Sequence, residues 1–228
     1  MNELLIPRTP SAHDNPLLIK QLLSRLAAQH GTREIVYAGE KRFTYDEFYQ
    51  RILSLAGALK QIGIRPGDTV AVMDWDSHRY LECFFAVPII GAVLHTINIR
   101  LAPEQVLYTV NHAKDTAILV HDEFLPLLET LKNKTPTVKK WIRLTDIGND
   151  IDPTWDDMID SEYEEMLSTA DREFKPEDFD ENIRATTFYT TGTTGNPKGV
   201  YFSQRQIVLH TLGVSVGLTS AAEQGRLH

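Results

Sequence analysis

A stretch rich in glycine and hydroxyl groups, YTTGTTGNPKGV, occupies Tyr189–Val200. Gly192 and Gly195 allow the backbone to turn its amide groups toward an anion at close range. Lys198 adds a positive charge that can bind a β- or γ-phosphate. Four threonine hydroxyls, which can donate to phosphate or bind magnesium through oxygen, come from Thr190, Thr191, Thr193 and Thr194. The combination predicts a phosphate-binding loop, and the alternative is a glycine-rich hairpin turn without a ligand.

This pattern differs from the phosphate loop of ordinary nucleotide triphosphatases, G-x-x-x-x-G-K-[ST], which leads directly into a helix. Counted from Gly192, the second glycine position holds Pro197, and Gly199 stands where Ser or Thr is required. Because both of these required positions fail, that class of loop is excluded.

The segments on both sides of the loop are predicted strands. RATTFYT (Arg184–Thr190) precedes the loop and GVYFS (Gly199–Ser203) follows it. A helix is predicted only after Ser203, whose hydroxyl can cap it while Gln206 reaches back as the capping-box partner. We call residues 184–203, which comprise the two strands and their loop, the phosphate clasp.

An alternation of helices and strands precedes the clasp. TVAVM (Thr69–Met73) is a short apolar run without alternation, which is typical of a strand covered on both faces in a parallel sheet. AVLHTIN, TAILV and KKWIRLT are predicted strands as well. Helices are predicted over Asn15–His30 and Glu123–Asn133, and Thr44 with Glu47 forms a capping box at the start of another. The succession predicts an α/β fold, a doubly wound and largely parallel sheet with flanking helices.

Charge is distributed unevenly along the chain. The net charge of −8 argues against nucleic acid as the main partner. Asp146–Glu181 carries 15 acidic residues and only two basic ones. We therefore interpret residues 146–182 as an acidic connecting segment with a solvated, partly helical surface. The alternative is an electrostatic docking surface.

Three features of the sequence indicate a cytoplasmic protein. Cys83 is the only cysteine, which excludes an internal disulfide and fits a reducing compartment. The longest apolar stretch, Cys83–Leu94, is too short to span a bilayer and contains Pro88. The N-terminus lacks the basic start and apolar core of a signal peptide.

The loop YTTGTTGNPKGV closely resembles the phosphate-loop signature of the adenylate-forming (AMP-binding) superfamily. FTYDEFYQRILSLAGALKQIGIRPGDTVAVM looks like the early helix and strand of that family. DSHRYLECFFAVPIIGAVLHTINIRLAPEQVLYTVNHA is similar to the corresponding stretch of bacterial medium- and long-chain fatty acyl-CoA synthetases. The resemblance covers the chain from about residue 15 to residue 219.

The resemblance implies a reaction. Such enzymes use ATP to convert a carboxylate to an acyl-adenylate with release of pyrophosphate, and then transfer the acyl group to the thiol of coenzyme A. The loop from Thr190 to Gly195, together with Lys198, would bind the β- and γ-phosphates. Thr190 would also contact the magnesium ion that accompanies ATP, and Lys198 would neutralise charge on the departing pyrophosphate. ATP, magnesium, a fatty acid and coenzyme A are the expected ligands, and relatives of this type suggest a homodimer.

One position departs from the family pattern. Many relatives carry SHR after the loop, whereas this chain reads Ser203-Gln204-Arg205. The histidine of those relatives lies near the substrate, so the resemblance places Gln204 in the substrate region. Gln204 keeps hydrogen-bonding capacity but cannot become a cation near neutral pH. The alternative is a tolerated surface change in the first turn of a helix.

Later motifs of the family have no counterpart in this sequence. The family uses a glutamate-bearing strand for magnesium, residues for adenine and ribose, and a small C-terminal lid domain with a catalytic lysine. We therefore expect residues 1–228 to be the N-terminal part of the AMP-binding domain, without the lid domain and inactive alone. One alternative is a natural truncated protein that binds nucleotide or pairs with another subunit without catalysis. Another is an adenylate-forming enzyme with a different acceptor.

Overall fold

The elements of the chain form two sheets and the helices around them. The computed structural model describes residues 9–13, 15–39, 41–146, 153–171, 174–190 and 195–223. The strands are β1 (Glu34–Tyr37), β2 (Lys41–Thr44), β3 (Thr69–Met73), β4 (Val93–Thr96), β5 (Asp115–His121), β6 (Lys140–Leu144), β7 (Ser161–Glu162), β8 (Arg184–Thr190) and β9 (Lys198–Ser203). The α-helices are α1 (Ile19–His30), α2 (Tyr45–Gln61), α3 (His78–Ile89), α4 (Pro103–Ala113), α5 (Leu128–Leu131), α6 (Tyr163–Thr169) and α7 (Gln204–Glu223).

The main sheet has seven strands in the order β7-β6-β5-β3-β4-β8-β9. Every neighbouring pair is parallel except β8 and β9, which pair antiparallel at one edge. β1 and β2 form a separate antiparallel hairpin. The predicted α/β fold with a largely parallel sheet is therefore confirmed. Among the described residues, no helix is both long and apolar enough to cross a membrane.

The strand β3 shows why the sheet is buried on both faces. Val70 and Val72 belong to an apolar cluster with residues of α2, α3 and α6. Ala71 and Met73 point the other way, into a second cluster with residues of α4 and α5. Successive side chains of a strand alternate between the faces of a sheet, so an unbroken apolar run requires cover on both. Helices on both faces provide it.

The capping box predicted at the start of α2 is confirmed. The amide of Glu47 donates to Oγ1 of Thr44 at 3.1 Å, and the amide of Thr44 donates to Oε2 of Glu47 at 2.7 Å. Two amides that the helix itself cannot satisfy thereby acquire partners.

Two predicted helix boundaries are wrong. The first helix begins at Ile19 rather than Asn15, because the chain stays extended up to Leu18 and distant side chains satisfy its entry amides. The segment Glu123–Asn133 contains only the short helix α5, with 3₁₀ turns on both sides. Pro126 lies in the first of these turns and has no amide hydrogen to continue an α-helix.

The acidic segment contributes to the fold more than a surface connection would. Its strand β7 pairs with β6 and forms one edge of the main sheet. Tyr163, at the start of α6, is fully buried in the core cluster with α2 and α3. The boundaries 146–182 remain a prediction.

A partly buried charge network ties the acidic segment to α2 and α3. Arg51 donates from Nε to Oε1 of Glu82 at 2.6 Å and from Nη1 to Oε2 of Glu164 at 2.8 Å. The carboxylate of Glu82 is fully buried and also accepts from the hydroxyl of Tyr163 at 2.5 Å. Arg51 is therefore the cation that compensates a carboxylate with no access to water.

Candidate functional site

The clasp strands place Thr190 and Lys198 opposite each other at their loop end. The two residues form a cross-strand pair in the β8–β9 ladder, and Oγ1 of Thr190 lies 3.5 Å from the carbonyl oxygen of Lys198. Both residues are exposed. Because β8 is parallel to β4, its end lies at the carboxyl edge of the parallel strands. Ligands of open α/β sheets bind beyond that edge.

The loop itself is described only in part. The predictions for Thr191, Gly192, Thr193 and Thr194 concern residues that lie outside the described ranges. Gly195 is described, is exposed and has a φ of +90°. A Cβ there would meet nothing within 4 Å, so the backbone conformation, not crowding, requires glycine.

Lys198 presents an unneutralised charge in the described part of the chain. Its side chain is exposed, and no carboxylate among the described residues forms an ion pair with it. An ammonium group of this kind at the mouth of a loop can bind an anionic ligand without first leaving a protein partner. This arrangement is what a site for phosphate oxygens needs.

The residue after Lys198 allows close approach of an aromatic ring. Gly199 pairs with Tyr189 across the ladder, and a Cβ added to Gly199 would lie 3.3 Å from two ring atoms of Tyr189. A side chain there would require the ring or the strand to move by a few tenths of an ångström. Contact with the ring therefore favours Gly199, whereas backbone conformation favours the glycine of the loop.

Polar side chains continue from this ring into the interior. The hydroxyl of Tyr189 lies 2.8 Å from Nδ1 of His112 on α4. The ring of His95 on β4 lies 5.2 Å from the ring of Tyr189, and its Nδ1 is 2.8 Å from Oδ2 of Asp115. Burial raises the pKa of Asp115 above its ordinary value, although His95 opposes the shift. Burial likewise raises the pKa of Tyr189.

The sequence analysis did not predict this polar row, which consists of Tyr189, His112, His95 and Asp115. His95 and Asp115 come from strands β4 and β5, which are separated in the sheet by β3. Their proximity depends on strand order, which the sequence pattern did not supply. The available signal was a histidine and an aspartate within otherwise apolar strands, where buried polar groups need partners.

Gln204 is a buried residue whose side chain connects three helices. Its side chain is 2% exposed, accepts from the amide of Ile19 at 3.0 Å and donates to the carbonyl of Pro88 at 2.8 Å. The alternative of a tolerated surface change is therefore wrong, since the side chain joins α7 to the ends of α1 and α3. Its nearness to a substrate remains a prediction.

The predicted capping box at the start of α7 is confirmed. The amide of Ser203 donates to Oε1 of Gln206 at 2.9 Å, and the amide of Gln206 approaches Oγ of Ser203 at 3.3 Å. The chain therefore passes from the second clasp strand directly into a helix whose start is fixed.

The described donors around the clasp are too few to hold a metal ion without a ligand. Within the described ranges, no group of three or more His, Cys, Asp or Glu side chains could hold a metal ion. Thr190 offers a single neutral oxygen, and magnesium often binds through one or two protein oxygens together with phosphates and water. The residues present fit a magnesium ion that arrives with a nucleotide.

Comparison with known proteins gives the clasp a family context. The sequence profile described as AMP-binding enzyme matches residues 23–226. A medium-chain-fatty-acid–CoA ligase of Ectopseudomonas oleovorans is 38% identical over 87% of this chain. A long-chain-fatty-acid–CoA ligase of Thermus thermophilus is also 38% identical, over 89% of this chain. The chain spans 37% and 36% of the lengths of these two relatives, a little over a third.

A solved structure supports the fold. The crystal structure of a long-chain-fatty-acid–CoA ligase from Archaeoglobus fulgidus aligns with a TM-score of 0.75 and 19% identity. The alignment covers 91% of this chain and 41% of that one. At this level of identity the likeness concerns architecture, whereas the profile match covers most of the sequence. The chain belongs to the family of AMP-binding enzymes.

Proposed function

We propose that this chain forms the N-terminal part of a cytoplasmic, ATP-dependent fatty acid–CoA ligase. The observation that carries the proposal is the exposed Lys198, without a described counter-ion, opposite Thr190 at the carboxyl edge of the sheet. The names of the two curated relatives, a medium-chain and a long-chain fatty acid ligase, support the choice of acid. Residues 184–203 would bind the β- and γ-phosphates of ATP.

The proposed chemistry has two steps. A carboxylate oxygen of the fatty acid attacks the α-phosphorus of ATP, and pyrophosphate leaves with the electron pair of the broken bond. The thiolate of coenzyme A then attacks the acyl carbonyl, and AMP leaves. Lys198 would stabilise charge that builds on the departing pyrophosphate, and the clasp would hold the phosphates in line with the carboxylate. Magnesium bound with ATP would supply further charge neutralisation, with Thr190 as a protein contact.

The test is an exchange assay on the complete protein, meaning the full translation product that contains this chain. We expect incorporation of labelled pyrophosphate into ATP that depends on a medium- or long-chain fatty acid, and thioester formation when coenzyme A is added. An aromatic acid of similar acidity serves as the comparison substrate. The 228-residue chain alone is expected to show no exchange. Binding of ATP by the complete protein without exchange on any acid would contradict the ligase proposal and favour a nucleotide-binding protein without catalysis.

Subunit pairing is a second candidate, which one observation favours. Helix α7 exposes large apolar side chains, among them Leu209, Leu212 and Leu218, each about half exposed. Exposed apolar surface of this extent is typical of an interface. We expect this chain to be a dimer or larger in light scattering, and the double substitution of Leu212 and Leu218 by glutamate to lower its mass. Leu26→Glu on α1 is the matched control. A monomer mass for the unmodified chain would exclude pairing through this helix.

A further inference from the structure

We propose that His112, His95 and Asp115 are positioning residues for the phosphate clasp, and that they act through Tyr189. The inference rests on the proposed function, because it assigns these residues to the same clasp. None of the three lies in the loop, and Tyr189 is a clasp side chain that contacts both His112 and His95.

The first step is the contact between Tyr189 and the strand that carries Lys198. Tyr189 is 7% exposed, and its ring covers Gly199, the residue that follows Lys198. The neighbouring cross-strand pair is Thr190 with Lys198. A shift of the ring would therefore move the backbone of β9 immediately beside the ammonium-bearing residue.

The second step is the hydrogen bond that fixes the ring. The hydroxyl of Tyr189 lies 2.8 Å from Nδ1 of His112, and the ring of His112 stacks against Tyr108 at a centroid distance of 5.5 Å. A buried hydroxyl without a partner is costly, so this bond selects one ring position. His112 lies on α4, and its ring meets that of Tyr189 edge-on at a centroid distance of 5.7 Å.

The third step is the orientation of His95. Its ring is fully buried, lies 5.2 Å from that of Tyr189 and is bonded to the fully buried Asp115 at 2.8 Å. A carboxylate at Nδ1 fixes both the tautomer and the plane of an imidazole. Among the described residues, Nε2 of His95 and Oδ1 of Asp115 have no hydrogen-bond partner. A buried polar pair that is only partly satisfied is a poor stabiliser, which favours a role in orientation.

The test compares variants of the complete protein by amide hydrogen exchange without nucleotide. Tyr189→Phe and His112→Leu remove the same hydrogen bond, and we expect amides of the β8–β9 ladder to exchange about three- to tenfold faster in each. Combining the two should add little further, since both break one interaction. The side-chain amide of asparagine can take the place of Nδ1 in this hydrogen bond. We therefore expect His112→Asn to keep the protection that His112→Leu loses. Tyr201→Phe, on the paired strand, is the matched control and should exchange as the parent does.

Kinetics supply the second readout. We expect Tyr189→Phe to raise the KM for ATP about three- to tenfold while kcat changes less, because a misplaced clasp weakens ATP binding before it alters chemistry. Unchanged ladder protection and unchanged KM in a folded Tyr189→Phe protein would overturn the inference, whatever happens to His112→Leu. If the parent protein shows no ligase activity but its Tyr189→Phe variant loses protection in the β8–β9 ladder, the positioning role is supported and the ligase proposal is contradicted. Failure of the positioning inference and failure of the ligase proposal therefore give different results.

Discussion

Replacing Lys198 with alanine in the complete protein is expected to lower fatty-acid-dependent ATP–pyrophosphate exchange by about 10²- to 10³-fold. Lys198 is exposed at the clasp and has no ion-pair partner among the described residues, so its charge is available to a ligand. If that charge stabilises developing pyrophosphate more than bound ATP, kcat falls more than ATP affinity. Exchange rates at saturating ATP, together with direct ATP titration, separate the two effects.

The control for this substitution is Lys139→Ala. Lys139 is also an exposed lysine and precedes β6 in the same sheet. Its removal changes the net charge equally, so a shared loss of rate would indicate a general electrostatic effect. The free energy of unfolding should change by less than about 0.5 kcal/mol in both variants. Exchange by the Lys198→Ala protein within threefold of the parent would contradict the assigned role.

Replacing Arg51 with methionine is expected to cost about 3–5 kcal/mol of unfolding free energy. The substitution leaves the carboxylate of Glu82, which has no exposed surface, with only the hydroxyl of Tyr163 as a described side-chain partner. It also removes the ion pair between Arg51 on α2 and Glu164 on α6. The penalty comes from an uncompensated buried charge, so adding Glu82→Gln should recover part of it. Denaturant unfolding of single and double variants measures both quantities.

Arg42→Met is the matched comparison for Arg51→Met. Arg42 pairs with Glu34 at 2.8 Å, but both side chains are at least half exposed. Water and salt screen such a pair, and its loss should cost no more than about 1 kcal/mol. Similar losses for Arg42→Met and Arg51→Met would show that burial does not decide the strength of these ion pairs.

Features encoded by short stretches of sequence were predictable. The apolar run of β3, the capping box of Thr44 and Glu47, and the strands beside the loop each follow from a few adjacent residues. The family signature could be recognised in the clasp sequence because the residues of the signature are contiguous. Local signals of this kind survive folding when tertiary contacts agree with them.

Features that depend on distant partners were not predictable from the sequence. The pattern of charge in the acidic segment suggested solvent exposure, yet Glu164 bonds Arg51, 113 positions earlier. The structural role of Gln204 was not predicted, because nothing near it in sequence shows that Ile19 and Pro88 will contact it. The polar row beneath Tyr189 likewise requires knowledge of strand order. Such contacts are set by the packing of the whole sheet.

The capping of α1 has a consequence for synthesis on the ribosome. The amide of Leu17 binds the carboxylate of Glu181, 164 positions later, and that of Ile19 binds Gln204, 185 positions later. Neither partner has been translated when this helix leaves the exit tunnel, so its entry amides are then open to water. These two hydrogen bonds require closure of a loop that includes most of the chain, so they form late, although Leu23 of the same helix packs in the core cluster with α2 and α3. The start of the earliest described helix to be translated is therefore among the last parts to be fixed in place.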